Sequence, residues 1–228
     1  MAEQLAFDLP ARPALGRGDF FVSPANEPAV AMVSHDASWP SGKLALCGPE
    51  GSGKSHLVHV WAADHAAEIV AAAEMGRADV ERLASRARVA VEDIEALQPG
   101  EAGEVPLFHL HNLLLASGGR LLLTARRAPS RWQIALPDLR SRLQAIGLTT
   151  LSAPDDALLG AVIMKLFADR QIAVPPALIP YLVHRIDRSF AAARDIVERL
   201  DTAALSEGRA VNRALAMRLL DNAPPGGA

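Results

Sequence analysis

Eight consecutive residues, Gly48-Pro49-Glu50-Gly51-Ser52-Gly53-Lys54-Ser55, carry the densest chemistry in the chain. They spell G-x-x-x-x-G-K-S between an apolar run, Leu44 to Cys47, and a helix-like segment, Leu57 to Ala63. A strand before and a helix after is the setting in which this pattern grips phosphate. Gly48, Gly51 and Gly53 permit the tight turns that aim successive backbone N–H groups at phosphate oxygens. The N-terminal end of the following helix adds its partial positive charge. Lys54 is suited to neutralise β- and γ-phosphates, and the Ser55 hydroxyl to ligate Mg²⁺. His56 continues the loop into the helix. The expected cargo is a nucleoside phosphate with Mg²⁺.

A second group lies about forty residues on, where Val89-Ala90-Val91 runs into Glu92-Asp93. An apolar strand ending in two carboxylates is what a phosphate-loop protein needs opposite its loop. One of these two carboxylates is expected to hold the Mg²⁺ shell and the other to orient an attacking water. Arg120-Leu121-Leu122-Leu123-Thr124 is another buried strand, expected to place Thr124 at the carboxyl edge beside a γ-phosphate. Arg126 and Arg127 follow and read as a solvated basic turn. Asp138 is expected to cap a short helix carrying Arg140 and Arg142. Two roles suit those arginines: a surface salt bridge, or a guanidinium that completes a neighbouring subunit's phosphoryl-transfer site.

The elements that must position these groups follow from pattern. Strands are expected at 67–71 and 145–151 besides those above, and helices at 29–35, 77–86 and 101–116, the last with Leu107, Leu110, Leu113 and Leu114 at helical spacing. Beyond residue 153 the pattern turns wholly helical, with helices opened by Pro154-Asp155-Asp156, Pro175-Pro176, Ser189 and Asn212. The fold class is α/β: a parallel-sheet domain over 18–152 followed by a small all-α lid over 153–222. Residues 1–17, with Pro10 and Pro13, read as an extended leader, and 223–228 as a disordered end. Within the leader, Gln4, Leu5, Phe7 and Leu9 suit either a peptide docking in a partner's groove or a tail folded back on the domain.

Composition sets bounds. Half of the 228 residues are apolar, enough for a sizeable core. A net charge of −3 argues against binding nucleic acid through a basic surface. A lone cysteine, Cys47, excludes an internal disulfide and fits a reducing cytoplasm. The N-terminus lacks a cationic start and an apolar core, and no window is apolar enough to span a bilayer. His56, His59, His65, His109 and His111 have no cysteine partners, so no structural metal site is expected.

Taken in order, the motifs resemble the AAA+ ATPases of the DnaA initiator clade. The likeness rests on the phosphate loop with its Ser55-His56-Leu57 extension, Val-Ala-Val-Glu92-Asp93-Ile, Leu-Leu-Leu-Thr124, Leu-Arg-Ser-Arg142, a helical lid and the Asp19-Phe-Phe-Val segment. The leader Gln4-Leu5-Ala6-Phe7-Asp8-Leu9-Pro10 resembles peptides that dock into the hydrophobic cleft of the β sliding clamp of DNA polymerase III. A clamp-binding leader on a DnaA-like module, with the sequence closing after the lid, is similar to the Hda-type regulators. That resemblance implies regulatory inactivation of DnaA: clamp-bound regulator meets ATP-bound DnaA and triggers hydrolysis, with Arg142 in the arginine-finger position. It implies no direct sequence-specific DNA binding, no membrane partner and a cytoplasmic protein, and it is compatible with a homo-oligomer. A self-sufficient AAA+ ATPase or helicase loader of the DnaA/DnaC type is the alternative. Two positions depart from the pattern: Glu92 stands where an Asp is usual, and Ala191 where a nucleotide-sensing lid arginine belongs, with Arg194 one turn on.

Overall fold

A computed structural model describes residues 21–221. Five strands, β1 (Lys43–Cys47), β2 (Glu68–Ala71), β3 (Arg88–Glu92), β4 (Arg120–Ala125) and β5 (Gly147–Thr150), form one sheet in the order β2-β3-β4-β1-β5. Every pairing is parallel. All strands therefore end at one edge, and the loops leaving them share a rim.

Strand alternation divides the core. Ala45, Cys47, Val89, Val91, Leu121 and Leu123 face one side, against Leu107, Leu110 and Leu114 of α4 (Glu104–Ala116) and Leu139 and Leu143 of α5 (Pro137–Gln144). Leu44, Leu46, Ala90 and Leu122 face the other, against Ala29 and Val33 of α1 (Glu27–Ser34) and Leu57, Val58 and Trp61 of α2 (Lys54–His65). Both faces are covered, so the strands read as near-continuous apolar runs. A separate core unites α6 (Asp156–Asp169), α7 (Leu178–Val183), α8 (Phe190–Glu207) and α9 (Arg213–Asp221).

Local signals set most boundaries. Asp155 accepts from the Leu158 N–H and Ser189 from the Ala192 N–H, capping α6 and α8. Two expectations need correction. The helix expected over 77–86 is a 3-10 segment, Ala72–Arg77, then the short α3 (Val80–Ala84) capped by Asp79. Asp138 does not cap α5; Leu136 holds that place and Pro137 follows it. The N–H groups of Ala135 and Leu136 instead donate to the Glu104 carboxylate, at 2.7 and 2.9 Å, from α4. Glu104 is only 2% exposed, and this long-range acceptor fixes the chain where it enters α5.

Candidate nucleotide site and the opposite edge

The phosphate loop leaves β1 at the carboxyl edge and enters α2 at Lys54. Gly48 has no room for a side chain, since a Cβ there would meet the Leu151 carbonyl oxygen at 2.3 Å. Gly51 adopts φ +72°, and its Cβ would lie 2.7 Å from that of Ser189 at the start of α8. The Phe190 N–H donates to the Gly51 carbonyl at 2.9 Å, joining lid to loop. Ala191 lies on the same side, its Cβ 3.5 Å from the Cβ that Gly51 lacks. The position where a lid arginine was expected thus borders the loop, and alanine brings no charge there.

Lys54 is buried, and its ammonium bridges the carbonyls of Gly48 and Pro49 at 2.8 and 2.9 Å. Burial pulls it below the ordinary lysine value, Asp93 opposes that pull, and Arg126 adds to it. Asp93 sits at φ 57°, and its N–H donates to the Thr124 hydroxyl at 3.0 Å. That bond holds the ends of β3 and β4 together. Thr124 is 1% exposed, so its hydroxyl fixes Asp93 from below. One carboxylate oxygen of Glu92, buried at the end of β3, meets no hydrogen-bonding group among the described residues, and neither does the buried Ser52 hydroxyl. Unspent acceptors and donors beside a glycine cradle fit a nucleotide with its cation. Ser55 is exposed on the first turn of α2, and His56 half-buried beside it.

Arg126 is exposed, as its reading as a solvated basic turn expected, but it has a partner the sequence did not reveal. Its guanidinium reaches Glu50 of the loop at 2.9 Å, and the Glu95 carboxylate accepts from the N–H groups of Arg126 and Arg127. Arg126 thus sits at the mouth of the loop. A basic pair after a strand gave no hint of this, because its partner lies 76 positions earlier. Cys47 behaves as a buried apolar residue: its thiol donates to the Arg127 carbonyl, and burial first, then Glu95, pushes it up to about 11.

Arg142 lies elsewhere. Its carbonyl accepts from the Lys43 ammonium at 2.7 Å, and Lys43 begins β1 whereas the loop follows the end of β1. The two ends of that strand are roughly 13 Å apart. Arg142 is exposed, with its guanidinium 5.3 Å from the centroid of the Phe108 ring. The carboxyl edge therefore gathers Lys54, Glu92, Asp93 and Thr124, and the amino edge presents Arg142. Gln4, Leu5, Phe7 and Leu9 lie outside the described residues, and so does Phe20; Phe21 and Val22 are exposed and not part of the core.

Solved structures share this architecture. Domain III of the replication initiation protein DnaA from Thermotoga maritima matches with a TM-score of 0.77, over 94% of this chain and 98% of that one, at 20% identity. The fold is that of the AAA+ ATPases. AMPPCP-bound DnaA from Aquifex aeolicus matches with a TM-score of 0.67 over 82% of this chain and 65% of that one, at 17% identity. The RuvB Holliday junction branch migration motor of Thermotoga maritima follows at 0.65, over 88% and 70%, at 16% identity. No protein-family model matches the sequence. The AAA+ fold accounts for the shared rim and the helical lid. Among the described residues no three His, Cys, Asp or Glu side chains group to hold a metal by themselves, and no helix is long and apolar enough to cross a membrane.

Proposed function

We propose that this chain is an Hda-like regulator: it binds ATP or ADP, docks through its leader on the DNA-loaded β sliding clamp, and stimulates ATP hydrolysis by DnaA. The observation that carries this is the separation of Arg142 from the chain's own phosphate loop, with its guanidinium exposed at the amino edge. A guanidinium so placed cannot serve its own nucleotide and is free to serve a neighbour's. In that role Arg142 approaches the γ-phosphate held by DnaA and offsets the negative charge that develops as the phosphoryl group departs. Such residues are worth roughly 10³–10⁵ in rate.

The chain's own nucleotide is held by the backbone of 48–53 and by Lys54, with Ser55 and Glu92 toward Mg²⁺. The cation supplies charge neutralisation to the phosphates. Asp93, fixed by Thr124, is the residue in place to orient a water. Gln4, Leu5, Phe7 and Leu9 anchor the leader in the clamp groove, which raises the local concentration of the regulator beside DnaA. Neither sequence-specific DNA binding nor a membrane is needed.

The intact grouping of Lys54, Asp93 and Thr124 favours a second reading, a self-sufficient AAA+ ATPase or helicase loader. Steady-state ATP hydrolysis separates the two. The regulator reading expects slow turnover alone and stimulated hydrolysis by DnaA when loaded clamp is added, with clamp dependence lost in the double variant Gln4→Ala/Phe7→Ala. Fast turnover by the isolated protein, unaffected by clamp or DnaA, selects the second reading.

A further inference from the structure

We propose that Lys43 and His111 are positioning residues for Arg142, forming a buried strut from the phosphate-loop strand to the helix that presents the guanidinium. The inference rests on the reading of Arg142 as a group acting in trans.

Lys43 is the first residue of β1 and is 6% exposed. Its ammonium has two partners: the Arg142 carbonyl at 2.7 Å and His111 Nε2 at 3.3 Å. Among the described residues it forms no ion pair. The adjoining cavity, about 560 Å³, is lined by Lys43, Arg120, Arg142 and His111, with no carboxylate in its wall. An ammonium buried without a counter-charge is a poor stabiliser of a strand end, where an aliphatic side chain would do better. What the ammonium does supply is a donor to the last turn of α5, where helix carbonyls lack intrahelical partners and the dipole favours a cation.

His111 completes the strut in one tautomer. Its Nδ1 lies 3.2 Å from the Asn112 side-chain oxygen, and its Nε2 faces Lys43. A neutral ring with the proton on Nδ1 donates to Asn112 and accepts from Lys43. Burial keeps the ring neutral by pulling His111 below its ordinary value; the Asn112 bond opposes this, and the charges of Lys43 and Arg142 reinforce it. One turn earlier on the same helix, Phe108 lies beneath the Arg142 guanidinium. Arg142 is therefore held twice: its carbonyl through Lys43, its side chain over an aromatic face of α4. Rates of phosphoryl transfer are steep in the placement of such a group, and a displacement of about 1 Å costs on the order of 100-fold. Nothing in Lys43-Leu-Ala-Leu-Cys47 signals the role, since the partners are 68 and 99 residues away.

The test uses the full chain in the clamp-dependent DnaA hydrolysis assay, titrating the regulator to obtain a maximal rate and a half-saturating concentration. Lys43→Met keeps an unbranched chain as far as the ε carbon and removes the donor. Its maximal rate is expected to fall at least tenfold, with half-saturation and the chain's own nucleotide affinity unchanged within twofold. In an Arg142→Ala background Lys43→Met is expected to add nothing. Full stimulation by Lys43→Met where Arg142→Ala is inactive overturns this inference and leaves the trans reading standing. Full stimulation by Arg142→Ala overturns both. Should Lys43→Met fail to fold, His111 decides. His111→Gln retains an acceptor and is expected to keep most of the rate, whereas His111→Leu loses it; equal rates for the two overturn the strut.

Discussion

The two edges of the sheet pair their charges differently. At the carboxyl edge charges of both signs meet: Lys54 faces the field of Asp93, and Arg126 pairs with Glu50 while its backbone N–H leans on Glu95. At the amino edge Lys43, Arg120 and Arg142 line one cavity, and no carboxylate does. The first edge can hold a nucleotide and keep its own charges balanced. The second pairs Arg88 with the buried Asp36, whose field reaches Arg120, and leaves the Lys43 ammonium to a carbonyl and a ring nitrogen. On the proposed reading, one sheet separates the nucleotide a chain keeps from the nucleotide it acts upon.

Substitutions at each edge should therefore be separable, and the largest effect falls on the residue that supports α5 from within. Glu104→Ala strips the buried acceptor from the N–H groups of Ala135 and Leu136. It is expected to lower folding stability by ~3 kcal/mol or more, read by urea unfolding. Lys54→Ala is expected to weaken ATP and ADP binding at least tenfold, measured by titration calorimetry, while melting in the absence of nucleotide changes little. Were nucleotide affinity untouched, the carboxyl edge would not be the site.

Gly51→Ala tests the join between loop and lid. The new methyl meets Ser189 and is forced into a left-handed backbone, so a loss of about 1–3 kcal/mol in thermal stability is expected, with faster proteolysis between residues 152 and 190 as the lid shifts. An unchanged cleavage pattern would mean that the loop does not set the lid. The smallest effect concerns Cys47. With its thiol raised to about 11, alkylation at pH 8.5 should run about a hundredfold slower in the folded protein than in urea.

What could be read from the sequence was local. The phosphate loop, the acids ending β3 and the caps at Asp155 and Ser189 all depend on residues a few positions apart, so spacing alone exposed them. Features built from distant partners stayed hidden. Asp138 looked like a cap because nothing nearby revealed that Glu104 reaches the start of α5. Arg126 is solvated, as its turn suggested, but its pairing with Glu50 stayed hidden because the two are remote in sequence. Lys43 carried no signal at all, and His111 was one member of a scattered histidine set, until the fold joined Lys43 to His111 and to the Arg142 carbonyl. The α/β class and the order of the elements were legible because each strand is a continuous apolar run between turn residues. The leader's Gln4, Leu5, Phe7 and Leu9 lie outside the described residues, and the clamp-docking reading of them rests on sequence.

The most direct test labels only one of the two nucleotides. DnaA preloaded with γ-labelled ATP is mixed with DNA-loaded clamp and either the wild-type chain or Arg142→Ala, and release of labelled phosphate is followed over a single turnover. The account predicts rapid release with the wild type and release at the unassisted rate with Arg142→Ala, although both proteins bind nucleotide and clamp equally. Equal release by the two would contradict it.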